Sequence, residues 1–379
     1  MQFLPMLLLA LSPIQIDGQF NDWDKDLKST QDSHYLYQRI SLPSTSCLQQ
    51  LPNEKVIEIG GVTVNFSPKD KGYGVECFKG GKQISPYSVG LLFAPTTAAR
   101  EFELRINKPD TKPPLHSFDL GKKGDFRVVS WNVQFGNLLE DAHVGNRILK
   151  ALQPDVLLLQ ELDGNDTPEK LQQFLEKNLD GTWDVVMSQV HGEERHHQLR
   201  SAIASRFQVE NLPIKKIGTL KAVLAKTTVL NTPILFISLH FRCCGGPKSE
   251  AENQRRQEAR IIRRSVNNSK DAMIIAGDWN LVGTDKPLKI VQANDFDIVE
   301  CYQPDGLVNA TWSDTESSFT PGRLDWMLSK GASLKLKNAF VLETSDLDIE
   351  TLNKYDLLPS DTEVLSDHLP LVADFSISK

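Results

Sequence analysis

Apolar and polar positions alternate along this chain in two textures. From about residue 14 to 108 the runs are short and alternate with period two. Examples are Val62-Thr63-Val64-Asn65-Phe66, Val89-Gly90-Leu91-Leu92-Phe93 and Glu101-Phe102-Glu103-Leu104-Arg105-Ile106, with Gly, Pro and Asp between the runs. Period two puts alternate side chains on one face, so these runs predict antiparallel strands. No amphipathic stretch longer than two helical turns interrupts them, and a small all-β sandwich follows. Residues 109–123 hold Pro, Gly and Lys in linker proportions. From 124 to 379 the texture changes. Apolar runs now alternate with helical stretches: Gly145–Gln153 precedes Val156–Leu159, and Glu250–Val266 precedes Met273–Ala276. That alternation predicts a layered α/β domain. Thr167-Pro168 marks a helix start, with Thr as N-cap and Pro in the first turn.

Composition narrows the class. Of 379 residues, 40% are hydrophobic and 24% charged, which excludes a wholly disordered chain, a collagen and a coiled coil. The net charge of −7 disfavours a sequence-independent nucleic-acid coat, whose affinity comes from phosphate contacts, but leaves room for a local cationic site. The helix expected over Glu250–Val266 carries Arg255, Arg256, Arg260, Arg263 and Arg264. It reads as a surface helix with a solvated charged face, and in the sharper alternative as a basic wall for a phosphate-rich substrate. No run is long enough to cross a bilayer as a helix. Phe3–Leu11 is a short apolar core of signal-peptide type, so residues 1–13 are expected to be a leader and the protein secreted or periplasmic. Five cysteines are too few for a disulfide scaffold. Cys47 and Cys77 are available to pair after export. The adjacent Cys243 and Cys244 are hard to bridge, and are expected to be structural or redox-inert thiols, with metal binding as the lesser reading. Cys301 has no obvious partner.

The chemistry is carried by a recurring pattern, an apolar strand-like run that ends in a polar side chain. Val128–Trp131 ends at Asn132, and Val156–Gln160 ends at Glu161. Ile234–Leu239 ends at His240, and Met273–Gly277 leads into Asp278-Trp279-Asn280. Arg323-Leu324 leads into Asp325, and Ser366-Asp367-His368 precedes Leu369–Val372. A carboxylate beside a buried strand is costly unless it is paired or metal-bound. Repetition of that arrangement with carboxylates, amides and imidazoles points to one shared site at a sheet edge. Carboxylate and amide oxygens suit a hard cation, Mg²⁺ or Mn²⁺. His240 and His368 lack zinc spacing, and His191, His196 and His197 read as a solvated loop group, with substrate contact as the lesser reading. Neither a Walker-type phosphate loop nor a G-x-S-x-G elbow is present.

Ser130-Trp131-Asn132, Gln160-Glu161, Ser238-Leu239-His240, Gly277-Asp278-Trp279-Asn280, Arg323-Leu324-Asp325-Trp326 and Ser366-Asp367-His368-Leu369-Pro370, in this order, resemble the endonuclease/exonuclease/phosphatase superfamily of deoxyribonuclease I-like enzymes. The resemblance covers about residues 124–377. It implies an α/β four-layer sandwich, two packed mixed sheets flanked by helices, behind the N-terminal all-β sandwich. It implies Glu161 as the main metal ligand, with Asn132 and Asp367 at or near the metal. Asp278 and Asn280 would hold the attacking water and a phosphate oxygen, with Asp278 taking the proton. His368 would contact the scissile phosphate, charged and oriented by Asp325, and His240 would stabilise the phosphorane or assist the leaving group. A metal and two imidazoliums would then neutralise growing phosphoryl charge. Two departures stand out. Trp279 replaces the usual Phe, and Trp183–Arg206 lacks the Tyr that some nuclease members place at the phosphate.

The opening Ile16-Asp17-Gly18-Gln19-Phe20-Asn21-Asp22-Trp23 resembles carbohydrate-binding family 9-like sandwiches. That likeness implies either glycan stacking on Trp23 or a Trp23 that plugs the core. The expected protein is therefore an exported, monomeric phosphoester hydrolase. Its substrate would be a nucleic acid, a phospholipid or an inositol or sugar phosphate. The alternative is a non-catalytic binding protein whose sandwich holds a glycan or cell surface and whose hydrolase fold is a scaffold.

Overall fold

The computed structural model describes residues 13–69, 72–190, 198–215, 218–267 and 269–378. The expected leader, apart from Pro13, and the His191, His196 and His197 group lie outside them. Eight N-terminal strands come first: β1 (Ser29–Gln31), β2 (Tyr35–Ser46), β3 (Lys55–Ile59), β4 (Val62–Lys69), β5 (Gly72–Lys79), β6 (Lys82–Ile84), β7 (Leu92–Ala94) and β8 (Ala99–Asn107). They form two antiparallel sheets, β1-β2-β8-β7 and β3-β4-β5-β6. Val64, Phe66 and Cys77 of one sheet and Phe93, Phe102 and Leu104 of the other fill the space between them.

Twelve strands follow: β9 (Phe126–Asn132), β10 (Val156–Leu162), β11 (Asp184–Met187), β12 (Arg200–Ser205), β13 (Val209–Leu212), β14 (Lys221–Val229), β15 (Thr232–His240), β16 (Ala272–Asp278), β17 (Asp297–Ile298), β18 (Asp325–Lys330), β19 (Leu334–Val341) and β20 (Leu371–Ile377). They make two six-stranded sheets, β11-β12-β10-β9-β20-β19 and β13-β14-β15-β16-β18-β17. Pairing is parallel for β9 with β10 and for β15 with β16, and otherwise antiparallel. Val128, Leu158, Phe236 and Ile274 meet between the sheets. Their neighbours point outward. Val129, Trp131, Leu157 and Leu159 pack under helices α2 (Ala142–Leu152) and α3 (Pro168–Asn178), which follow the short α1 (Asn137–Glu140). Ile237, Leu239 and Ile275 pack under α4 (Glu250–Val266) and α5 (Lys286–Gln292). This is the four-layer α/β sandwich. Both faces of each central strand are covered, which is why these strands read as unbroken apolar runs.

Several expectations change. Val89 to Leu91 is not strand. Pro86–Val89 forms a helical turn that stops at Gly90, whose left-handed φ of 58° suits a residue without a Cβ. The 109–123 segment is docked in part: Leu120 is fully buried, and the His116 N–H donates to Asp346 O at 2.8 Å. Trp23 is 6% exposed and its Nε1 donates to Glu103 Oε2 at 2.9 Å, so it plugs a small core and offers no face to a sugar. Cys47 and Cys77 are buried free thiols, and Cys47 Sγ instead meets the Gly283 carbonyl at 3.2 Å.

That last contact belongs to a docking surface between the N-terminal sheets and the loops at one end of the second sandwich. The backbone N–H groups of Ile16, Val75 and Ala98 donate to the carbonyls of Leu307, Ser318 and Gly283 at 2.6, 3.0 and 2.8 Å. Arg105 Nη1 pairs with Asp305 Oδ2 at 3.1 Å, both side chains buried. Gln49 Oε1 accepts from the Thr320 N–H at 2.8 Å, and Thr96 Oγ1 from the Arg323 N–H at 2.9 Å.

Candidate active site

Strand direction explains how distant residues converge. The parallel pairs β9/β10 and β15/β16 bring their C-terminal ends to one edge, carrying Asn132, Glu161, His240 and Asp278. Antiparallel β14 and β18 bring their first residues to the same edge. Lys221 therefore lies opposite His240, and Asp325 opposite Asp278. The two sheets are tied just beneath: Ser238 Oγ donates to Leu159 O at 2.8 Å and accepts from Gln160 Nε2 at 2.9 Å. At Glu161 the pairing of β10 with β12 slips, and its backbone takes a left-handed φ of 59°. The bulge re-aims the carboxylate toward its neighbours. Gly277 is obligatory for a different reason, since a Cβ there would lie 1.9 Å from Leu239 O.

Asp278 is the centre. Its Oδ1 accepts the Asn280 N–H at 2.9 Å, and its Oδ2 accepts the amide groups of Asn280 at 2.8 Å and Asn132 at 3.2 Å. His240 Nε2 lies 3.5 Å from Asp278 Oδ2 and 3.6 Å from Glu161 Oε1. His368 Nε2 lies 3.7 Å from Asp278 Oδ2, while its Nδ1 meets Asp325 Oδ2 at 2.8 Å. Thr311 Oγ1 donates to the same Asp325 oxygen at 2.8 Å. Asn280 also donates to Phe241 O at 3.1 Å. Asp367 stands aside, half-buried, with its carboxylate accepting from Trp312 Nε1 at 2.9 Å. Trp279 is core: it is fully buried, its Nε1 donates to Trp326 O, and its ring meets Phe241 edge-on.

The electrostatics divide the two imidazoles. Burial works against charge on His368, but Asp325 and Asp278 outweigh it and push this residue up to about 10, so it is an imidazolium. His240 goes the other way. Burial, then Lys221 and His368 nearby, hold it well below the ordinary imidazole value. The expected pair of imidazoliums is thus one imidazolium and one neutral imidazole. Burial pushes Asp278 up to about 8, reinforced by Asp325 and Glu161 and opposed by His368. Burial also raises Glu161, against His368 and the hydrogen bond with Asn132.

Among the described residues, two groups of candidate ligand atoms fall within 4.8 Å of one another: Glu161, His240 and Asp278, and Asp278, Asp325 and His368. The first fits a divalent cation better. His240 is neutral, and the crowded carboxylates are raised in a way that a cation would relieve. In the second group the His368 Nδ1 is committed to Asp325.

Lys221 and Thr311 were not among the residues singled out from the sequence. Lys221 opens a strand, and only the antiparallel pairing of β14 with β15 brings it to the site. Thr311 sits in a loop and gave no signal. The Arg-rich helix is also different from its sharper reading. Arg255 is fully buried and donates to the carbonyls of Arg242 and Gly245, and Arg263 pairs with Asp295 at 2.6 Å.

Residues 129–368 match the model of the Endonuclease/Exonuclease/phosphatase family. No curated protein sequence matches. Among solved structures, the human Nocturnin catalytic domain with bound sulfate anion is 20% identical, covering 70% of this chain and all of its own, with a TM-score of 0.49. An endonuclease/exonuclease/phosphatase from Bacteroides vulgatus is 15% identical, covering 67% of this chain and 99% of its own, with a TM-score of 0.47. D. rerio TDP2 complexed with single strand DNA product is 16% identical, covering 66% and 98%, with a TM-score of 0.45. The family match spans the strand-end residues assembled above, from β9 to His368. The chain belongs to the Endonuclease/Exonuclease/phosphatase family and is a phosphoester hydrolase.

Proposed function

We propose that the protein is an exported, divalent-metal-dependent hydrolase of a phosphate ester, with Mg²⁺ or Mn²⁺ as the metal, and that it acts as a monomer. The observation that carries this reading is the meeting of Glu161, His240 and Asp278 at one sheet edge, next to the His368–Asp325 pair. Glu161 would be the main metal ligand, with Asn132, which hydrogen-bonds to the Glu161 and Asp278 carboxylates, at or near the metal. Asp367 joins through its charge, which acts on both Glu161 and His368. The metal supplies Lewis-acid stabilisation of phosphoryl oxygens and a more acidic water.

The residues do the rest. Asp278, raised by burial, is suited to accept the proton of the attacking water. Asn280, held on Asp278 and Phe241, fixes that water and a phosphate oxygen. His368, kept charged by Asp325, pairs with the scissile phosphate. Neutral His240 assists the leaving group or stabilises the phosphorane.

The division into residues 14–108, 109–123 and 124–379 is part of the same reading, and so is the leader over 1–13. Likeness of the N-terminal sandwich to carbohydrate-binding family 9 rests on the Ile16–Trp23 segment, whose tryptophan is committed to Glu103. We therefore take the sandwich as a support for the loops of the active-site end.

The test is turnover of bis-(p-nitrophenyl) phosphate and plasmid DNA by the chain lacking residues 1–13, with Mg²⁺, Mn²⁺ or EDTA. Activity that needs metal and disappears in both Asp278→Asn and His368→Ala supports the reading. Plasmid nicking selects nucleic acid, and turnover confined to a phospholipid or an inositol phosphate selects those branches. Silence across the whole panel with every metal would sink it.

A further inference from the structure

Among the five cysteines, Cys47, Cys77 and Cys301 are buried, while Cys243 and Cys244 are exposed. The adjacent pair begins three residues after His240. Its two Sγ atoms stand 2.9 Å apart, and Cys244 takes a left-handed φ of 65°. These two thiols are open to solvent, unlike the other three. Their surroundings tie them to the chemistry. Buried Arg255 grips the carbonyls of Arg242, Cys244 and Gly245 on both sides of the pair. Just upstream, the Phe241 carbonyl accepts from Asn280 Nδ2, and the Phe241 N–H donates to Asp278 O at 2.9 Å. Lys221, opposite His240, lies close enough to interact with Cys243 as well as with Glu161 and Asp278.

We propose that Cys243 and Cys244 are a modification site at the rim of the active site, which closes to a vicinal disulfide by exchange with a small disulfide and lowers turnover when closed. The Cys244 thiolate attacks one sulfur of the reagent, forming a mixed disulfide and releasing one thiol. Cys243 loses its proton to solvent and attacks the Cys244 sulfur, and the second thiol leaves. Two cysteine thiols are oxidised to one disulfide, and the reagent disulfide is reduced to two thiols. Sharing a proton with Cys243, with Arg242 and Arg255 nearby, lowers the Cys244 thiol and favours the attacking thiolate. Consecutive Cα atoms are held about 3.8 Å apart by a trans peptide, shorter than the roughly 4.4–6.8 Å that disulfides usually span. The closed ring is therefore strained and easily reduced, the behaviour of a labile bond. Arg255 cannot follow the distortion because it is enclosed, so the strain passes to Phe241 and from there to His240 and Asn280.

The experiment uses the full chain with oxidised glutathione as the probe. Two of five cysteines should react with a thiol reagent in the native state. After oxidation, the peptide carrying residues 243 and 244 should lose the mass of two hydrogens. Turnover of bis-(p-nitrophenyl) phosphate should fall between about tenfold and about a hundredfold, the scale of a small misplacement of catalytic groups. Dithiothreitol should restore both. Cys244→Ser should keep its turnover in oxidant. A stable glutathione adduct with no ring closure, or a closed ring with unchanged turnover, overturns the proposal. It uses the phosphoester-hydrolase reading only for its activity readout. If even the reduced protein is inactive on every substrate, that reading fails and the mass measurement alone decides whether the pair closes.

Discussion

The surface where the two sandwiches dock and the catalytic edge bury charge by opposite rules. At the docking surface, buried charge meets its complement. Arg105 pairs with Asp305, and its guanidinium lies 4.1 Å from the Tyr35 ring centroid. At the catalytic edge, like charges converge: Glu161, Asp278 and Asp325 share it, and among the described residues Asp325 Oδ1 and His240 Nδ1 have no hydrogen-bond partner. Matched charges hold the structure together. Crowded carboxylates cost stability, and only a task at that edge explains keeping them.

Substitutions can break this contrast in both directions. The largest effect is expected at Asp278. Asp278→Asn should lower kcat by about 10²–10⁴ as the proton acceptor is lost. It should also raise stability. In EDTA the folded wild-type group titrates near 8 against 3.8 ordinarily, so its contribution to stability is present below about pH 4 and lost as pH rises through 8. Thermal melts above pH 8 should find the variant more stable by about 0.5–2 kcal/mol, and a less stable variant would erase the contrast.

Next comes Arg105→Ala, which leaves the buried Asp305 carboxylate without its cation. It should cost about 3–5 kcal/mol in urea unfolding, a large loss for a residue outside the catalytic edge. Asp325→Asn sharpens the comparison in a third way. It removes the main group that keeps His368 charged, so the basic limb of the kcat/KM profile should move from near 10 toward the ordinary imidazole value of 6.5. An unmoved limb would detach His368 from that profile. The smallest effect is expected at Tyr87, whose hydroxyl donates to Phe319 O at 3.1 Å and accepts from the Asp314 N–H at 3.1 Å. Tyr87→Phe should cost about 1 kcal/mol of stability and leave metal dependence intact.

The contrast also explains what the sequence displayed. Asn132, Glu161, His240 and Asp278 were legible because each is polar at the end of an apolar run, and Asp325 because its motif opens one; strand direction brings these ends together. The start of α3 at Thr167 was legible because its cap is local, with Thr167 Oγ1 accepting from the Lys170 N–H. Thr311 and Lys221 were not, since their roles depend on which strands become neighbours. The neutrality of His240 was hidden for the same reason, because the cation that helps discharge it lies on another strand. Arg255 misled because periodicity counts its charge but cannot show that three carbonyls surround it. In the N-terminal sandwich, alternation revealed the strands but not the docking surface, whose partners lie far along the chain.

That distance sets an order of events in synthesis. Arg105 meets Asp305 200 residues later, and the Gln15 side chain meets Gly306 291 residues later. The first sandwich emerges with its docking face uncovered and has to wait for nearly the whole remaining chain. Closing so long a loop is entropically slow, although each doubling of length adds only about 0.6 kcal/mol. Docking is therefore the late step of maturation. Until it occurs, the newborn protein carries the Arg105 side chain without its acid and the 282–323 loops without their support, and this is the interval in which a chaperone or a protease would meet it.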